Sequence, residues 1–362
     1  MSKRPQSGVD IDLGNQCSRT AYAWAKKSFS NRPAGEGNPM LNVEGSFSNI
    51  MDFHGVKIGM SSDGIGTKIE VAERTGIYDT LGYDLIAMTA DDLAANGMET
   101  VNMTNILDVD HLDHAIVDTL MRGLHDAAKF AKVVITGGEI AELGDRIGGY
   151  GPKMHFNWCA AGISILPEGQ TPIDGADIRP GDAVIALKSR GFRSNGYSLL
   201  RRIMEDAFGD AWHLEPYGDT TWGKVLLTPS LIYSPLVSAI RRQKFALKGI
   251  SHITGGGLGD NFARVLKVAG FGAALTDIYE PLPVMLDVQR IGKVPEARAY
   301  RLWNMGNGML LAVNADEAPA IVRFAAEQGF AAKICGSVIP EAEIRIDTKA
   351  NDPQALTYKV EG

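Results

Sequence analysis

The sequence predicts a mixed α/β protein of two domains, and three observations carry that prediction. The chain has 362 residues, 45% of them hydrophobic, enough to build a core in each of two ordinary domains. From Val56 onward, short apolar runs alternate with stretches of helical spacing. A segment dense in turn formers, running from Leu166 through Pro167, Gly169, Pro172 and Gly175 to Pro180, Gly181 and Asp182, separates two such series. The boundary is therefore placed near residue 170, dividing 1–170 from 171–362.

Residues 1–45 are polar and contain Gly, Asn and Pro, apart from a helix expected near 18–27. Residues 31–48 read as a mobile loop, of a length that suits a lid. A strand is expected at 56–60, a helix at 85–93 and a strand at 101–106. Ile116, Leu120, Leu124, Ala127 and Ala131 then recur at three- and four-residue spacing, which makes a helix with one apolar face. Residues 133–136 read as a buried strand. In the second half, strands are expected at 183–187, 249–253, 309–313 and 333–338, and helices at 197–205, 260–268 and 317–328, the last stopped by Gly329. No fixed-period repeat is present, which sets solenoids aside.

Composition excludes several classes. Glycine is frequent, 41 residues, but without a Gly-X-Y period and with only 16 prolines, so a collagen-like chain is excluded. Lys and Arg number 36 against 43 Asp and Glu, a net charge of −7, and no dense basic run offers a footprint for nucleic acid. Cys17, Cys159 and Cys335 are isolated and odd in number, which argues against a disulfide framework or thiolate metal site and for a reducing cytoplasm. The residues after Met1 lack a signal-peptide core. The longest charge-free apolar run, 156–167, is short of the roughly 20 residues of a membrane helix. The expected partner is a small molecule, with no nucleic acid and no membrane.

Three segments of the first half carry candidate chemistry. In Asp63-Gly64-Ile65-Gly66-Thr67-Lys68, after the first strand, the glycines let backbone N–H groups approach an anion. Lys68 supplies a point charge for phosphate and Asp63 a hard oxygen for Mg²⁺. The alternative is an ordinary glycine turn, and the spacing is not that of a Walker A loop. Asp91 and Asp92 end an apolar helix, where burial of two carboxylates demands a cation or a donor unless the helix simply turns into solvent. Gly137-Gly138-Glu139 follow a strand, where ligands gather in open α/β sheets. Asp63, Asp92 and Glu139 then form a carboxylate set for Mg²⁺ bridging the phosphates of a nucleotide.

Two loops of the second half stand between a strand and a helix. Ser194 or Asn195 can cap the helix that follows, while Arg190 and Arg193 share the loop and add charge for an anion. Thr254-Gly255-Gly256-Gly257 repeats the arrangement after His252, and a triple glycine favours anion binding over packing. His111 and His114 lack a third ligand at metal spacing. No nucleophile elbow or Rossmann fingerprint occurs.

Taken in order, Gly8-Val9-Asp10-Ile11-Asp12 with Gly14-Asn15, then the Asp63 to Lys68 loop, Asp92-Leu93, Gly137-Gly138-Glu139, Ser194-Asn195-Gly196-Tyr197-Ser198-Leu199 and the His252 to Gly257 turn resemble the phosphoribosylformylglycinamidine cyclo-ligase family, over about residues 8–340. The resemblance implies ATP-dependent closure of formylglycinamidine ribonucleotide to aminoimidazole ribonucleotide, with ADP and phosphate released, in purine biosynthesis. It implies ATP and Mg²⁺ as cofactors, and a homodimer whose N-terminal sheets build a shared barrel beside a C-terminal α/β layer. It places Asp63, Gly64, Gly66, Thr67 and Lys68 on the nucleotide, and Asp63, Asp92 and Glu139 on the metal. Arg193, Ser194, Asn195, Thr254, Gly255 and Gly256 fall on the ribonucleotide, and Lys68, Asp92 and Asn195 at the reaction.

The chain departs from the family pattern at several positions. Arg193 stands where the loop usually reads Gly-Pro-His-Ser-Asn-Gly, Asp91 where Asn is common, Ile140 for Thr, and Asn304-Met305-Gly306-Asn307-Gly308 varies a pattern with Cys. Arginine cannot serve as a base near neutral pH. The alternative is a related kinase or synthetase, of the kind of thiamine monophosphate kinase or selenophosphate synthetase, against which stands the lack of an early reactive Cys. A non-catalytic binding subunit is a third reading, opposed by the intact Asp63, Lys68, Asp92 and Glu139.

Overall fold

The computed structural model describes residues 11–40 and 47–361. The first half contains α1 (Ile11–Lys26), β1 (Glu36–Pro39), β2 (Asn49–Phe53), β3 (Val56–Gly64), α2 (Ile69–Thr75), α3 (Leu81–Ala95), β4 (Glu99–Val109), α4 (His114–Ala131), β5 (Val134–Glu142) and β6 (Phe156–Ile165). Its six strands form one sheet in the order β1-β2-β3-β6-β4-β5, antiparallel throughout except for the parallel β4 and β5 pair.

The second half contains β7 (Ala183–Lys188), α5 (Tyr197–Phe208), β8 (Pro216–Tyr217), β9 (Thr220–Thr221), α6 (Trp222–Leu226), α7 (Ser234–Arg242), β10 (Leu247–His252), α8 (Gly257–Leu266), β11 (Gly272–Leu275), α9 (Pro283–Ile291), α10 (Glu296–Leu302), β12 (Asn307–Val313), α11 (Ala318–Glu327), β13 (Ala332–Ile339), β14 (Glu343–Asp347) and β15 (Ala355–Lys359). Seven of these strands form a sheet ordered β10-β12-β7-β13-β11-β14-β15, and β8 with β9 makes a separate hairpin. Strand β12 is buried at every position, as a central strand covered on both faces should be.

Helix α3 is the centre of the molecule. It packs on β3, β6 and α4 of its own half and on α7 and β10 of the other. That explains why it carries no polar stripe and buries nearly every side chain, Asp84 and Asp91 included. Helix α4 keeps the amphipathic pattern expected of it: Asp113 caps its N-terminus by accepting from the Ala115 and Ile116 N–H groups, and Ile116, Leu120, Leu124, Ala127 and Ala131 face the core. Close approach of α3 and α4 rests on Gly82, where a Cβ would lie 2.4 Å from the Leu124 nitrogen.

The structure corrects several expectations. Part of the supposed lid is strand β1, paired with β2, because residues 36–39 find an open edge, while 41–46 lie outside the described residues. Gly8, Val9 and Asp10 of the N-terminal motif also lie outside them. Gly137-Gly138-Glu139 is no loop after a strand but the middle of β5, held in register by β4. The first sheet of a single chain is open, with β1 and β5 at its edges; the barrel implied by the resemblance is one that two copies would build together.

Candidate active site

Three segments converge on the carboxyl end of α3. Strand β3 ends in Asp63 and Gly64, and Asp63 Oδ1 accepts from the Gly64 N–H at 2.7 Å. Beyond it the chain makes a short 3₁₀ turn, Gly66–Lys68, with Gly66 at a φ of +70°. Thr67 Oγ1 lies 3.2 Å from Ser198 Oγ on α5, which joins this turn to the second half. Asn195 reaches the same place, its Nδ2 3.7 Å from Met88 Sδ on α3 and its Oδ1 3.7 Å from where a Gly255 Cβ would stand. The cleft is thus walled by the turn after β3, by α3, and by the loops that start α5 and α8.

Asp63 and Asp92 lie near enough for the Asp92 charge to act on Asp63. Burial, with the nearby Asp92 charge adding to it, pushes the Asp63 carboxyl up to about 6. Asp92 is pushed up to about 7 by burial, against the pull of Arg264 and Arg193 and a hydrogen bond from Ser61. Two neighbouring carboxylates, Asp63 exposed and Asp92 half-buried, fit Mg²⁺, which takes one or two carboxylates and keeps its remaining positions for water and phosphate oxygens. Glu139 does not join them. Its register with Ile106 and Cys159 puts it on the opposite face of the sheet from Asp63, which pairs with Ala160. It also lies three strands away, on the order of 14 Å. Among the described residues no group of three His, Cys, Asp or Glu side chains could hold a metal.

Lys68 is likewise corrected. Its side chain is fully buried, with Nζ 2.8 Å from Asp84 Oδ2 and 2.7 Å from the Thr228 carbonyl. Asp84 Oδ1 also accepts from Ser230 Oγ and N–H, at 2.5 and 3.0 Å. Burial lowers the Lys68 pKa, and Asp84 opposes that. An ammonium enclosed in this way ties the halves together and has no solvent-facing surface in the ligand-free chain.

Arg193 is the third correction. It is 1% exposed and stands apart from the open cleft, with Nη2 2.7 Å from Asp91 Oδ2 and 2.9 Å from His252 Nε2. Nη1 donates to the Leu231 carbonyl at 3.1 Å. The two departures from the family pattern, Asp91 and Arg193, are therefore partners in one buried ion pair. Burial opposes the Arg193 charge, yet Asp91 keeps its pKa above the usual value. Burial and the adjacent guanidinium bring His252 down to about 3, so its ring is neutral. His252 Nδ1 lies 2.8 Å from Asp92 Oδ1 and links the second sheet to the carboxylate pair.

The α8 turn is organised by Asn261, whose Nδ2 donates to the carbonyls of Thr254, Gly255 and Gly257 at 3.3, 3.2 and 2.8 Å. Gly255 is exposed and Gly256 adopts a φ of +102°. Ser194 Oγ is enclosed without a hydrogen-bond partner and so has a donor to offer. Sequence reasoning gave no role to His252, Asn261 or Ser198. His252 opens a motif it did single out, but nothing in a linear chain shows that its ring meets Asp92.

Two family models divide the chain between them: AIR synthase related protein, N-terminal domain, over residues 48–164, and AIR synthase related protein, C-terminal domain, over 179–349. Fold and cleft together define an AIR synthase related protein. The phosphoribosylformylglycinamidine cyclo-ligase of Methanocaldococcus jannaschii is 32% identical over 304 residues, 82% of this chain and 83% of the relative. That of Thermococcus kodakarensis is 32% identical over 342 residues, covering 94% and 97%. The chain belongs to the phosphoribosylformylglycinamidine cyclo-ligase family. Among solved structures the fold is similar to a HypE–HypF complex (TM-score 0.61, 16% identity, 86% of this chain and 92% of that one). It is also similar to a ThiL complexed with AMPPCP and TMP (TM-score 0.60, 16% identity, 87% and 91%).

Proposed function

We propose that the protein catalyses ATP-dependent cyclisation of formylglycinamidine ribonucleotide to aminoimidazole ribonucleotide. In this reaction the formyl oxygen takes the γ-phosphoryl group of ATP and ADP leaves. The internal amine then attacks the same carbon, loses a proton, and phosphate departs, closing the ring. Phosphorylation turns a poor leaving group into a good one, and the protein contributes chiefly positioning and neutralisation of charge. The observation that carries the reading is a convergence: the Asp92 charge acts on Asp63 at the end of β3, Asn195 reaches Met88 on α3 and lies beside Gly255, and His252 joins Asp92.

Asp63 and Asp92 would hold Mg²⁺, which supplies charge neutralisation along the nucleotide phosphates. The Gly64, Gly66 and Thr67 turn would bind the nucleotide through backbone N–H groups and the Thr67 hydroxyl. Asn195 and Ser194 offer an amide and an enclosed hydroxyl to the reacting ribonucleotide, and Thr254, Gly255 and Gly256 present the start of α8 to its phosphate. ThiL, a protein of this fold, is complexed with AMPPCP, which supports the use of ATP here. The outward face of the first sheet exposes Met60, Ile106, Ile163 and Ile165, an apolar surface suited to a second copy and so to a homodimer. No helix among the described residues is long and apolar enough to cross a membrane. Three unpaired cysteines suit a reducing cytoplasm.

The test is to supply purified protein with ATP, Mg²⁺ and formylglycinamidine ribonucleotide and to follow aminoimidazole ribonucleotide and phosphate together. Equal formation of both, lost in Asp63→Asn and Asp92→Asn, is expected. Nucleotide binding without the aminoimidazole product would reject the reading.

A further inference from the structure

We propose that Arg193 is a positioning residue: its guanidinium fixes the His252 ring with the proton on Nδ1, so that His252 donates to Asp92 and holds that carboxylate near Asp63. The inference rests on the reading of Asp63 and Asp92 as the cation and nucleotide end of the cleft.

The hydrogen bonds leave little freedom. A guanidinium has donors and no acceptor, so the His252 Nε2 that meets Arg193 Nη2 at 2.9 Å must supply a lone pair. A neutral ring that accepts at Nε2 carries its proton on Nδ1, and Nδ1 is the atom 2.8 Å from Asp92 Oδ1. Arg193 is itself held. Asp91 Oδ2 and the Leu231 carbonyl fix two of its nitrogens, and the guanidinium lies over the Tyr233 ring at 4.9 Å. Asp91 in turn accepts from the Tyr233 and Ser234 N–H groups through Oδ1, each at 2.8 Å. The chain of contacts therefore runs from the start of α7 through Asp91, Arg193 and His252 to Asp92. Arg193 also adopts a φ of +61°, a backbone conformation that a non-glycine residue keeps only where its surroundings enforce it.

A buried ion pair that only stitched α3 to the second half would leave the His252 tautomer indifferent to Arg193. Full-length protein labelled with ¹⁵N-histidine distinguishes the two roles, because two-bond nitrogen–proton spectra report which ring nitrogen carries the proton. The spectrum of His252→Gln assigns the signal. Wild type is expected to show His252 protonated at Nδ1 alone; a proton on Nε2 would overturn the proposal. In Asp91→Asn/Arg193→Met both charges leave together, so no orphaned charge threatens the fold, and Asn can still accept from α7. This variant is expected to show a mixed tautomer and about a tenfold or greater loss of affinity for Mg²⁺ with ADP by calorimetry. Arg193→Lys, which keeps a donor, should retain the tautomer. A tautomer that stays fixed in the double variant, or one that is freed while affinity is unchanged, would overturn the proposal. Neither readout needs the ribonucleotide, so failure of the cyclo-ligase reading would show separately as missing product.

Discussion

Lys68 Nζ lies 2.8 Å from Asp84 Oδ2, and neither side chain reaches solvent. The pair sits where the turn after β3, helix α3 and the chain before α7 meet, and Thr228 and Ser230 complete its hydrogen bonds. A cation in a loop that reads as a phosphate contact is instead an internal tie between the two halves.

Lys68→Met leaves the Asp84 carboxylate buried without its counter-ion and should lower the unfolding free energy by about 3–5 kcal/mol. Adding Asp84→Leu to the same chain should recover much of that loss. Urea titration decides the matter. An unchanged midpoint with weakened nucleotide binding would show that the ammonium acts on phosphate after all.

Raised carboxylates make the ligand-free protein sensitive to pH. Asp63 at about 6 and Asp92 at about 7 hold protons in the folded state that the unfolded chain has released above about 4. Their contribution is therefore present at low pH and lost as pH rises through 6 and 7. Between pH 5 and pH 8 Asp92→Asn should remove on the order of 2 kcal/mol of that decline, partial solvation of the site included. Thermal melts of both proteins across this range would show it, and parallel curves would refute it.

The glycines of the α8 turn should separate binding from folding. A Cβ on Gly255 would meet nothing nearer than Asn195 Oδ1 at 3.7 Å, whereas one on Gly257 would stand 1.7 Å from the Tyr300 carbonyl at a φ of +65°. Gly255→Ala is expected to change stability by less than about 0.5 kcal/mol yet slow turnover about tenfold or more, by crowding the bound phosphate. Gly257→Ala should cost on the order of 3 kcal/mol in folding. Chemical denaturation run beside turnover measurements checks both halves of this contrast.

Ile163→Asp places a charge in the outward apolar face of the first sheet, beside its register partner Met60. If that face pairs with a second copy, the substitution should convert a dimer to a monomer in light scattering, with the melting temperature of the monomer near that of a folded domain. A wild-type monomer, or a variant that remains dimeric, would remove the face from consideration.

Local pattern was enough for much of the fold. The stripe from Ile116 to Ala131 marks α4 because helical spacing is a property of neighbouring residues, and the turn-dense segment near residue 170 falls between the two sheets. Helix α3 was legible only in part, as residues 85–93 of Leu81–Ala95, because a helix buried on all sides shows no polar face to bound it. Strands β1, β2, β14 and β15 were missed, since runs of four or five residues are too short to show a strand period, even though β1 pairs with β2 and β14 with β15 close along the chain.

By itself the sequence determined which residues could do chemistry: the acids Asp63, Asp92 and Glu139, the glycine turns and the ordered motifs of the family. Tertiary structure alone decided which of them meet. It put Lys68 against Asp84 and Arg193 against Asp91, carried Glu139 to the other face of the sheet, and brought His252 to Asp92. The physical reason is that burial and pairing are relations between segments many residues apart. A charged side chain is read as a ligand or as a structural tie only once its counter-charge, and the water it has lost, are fixed in space.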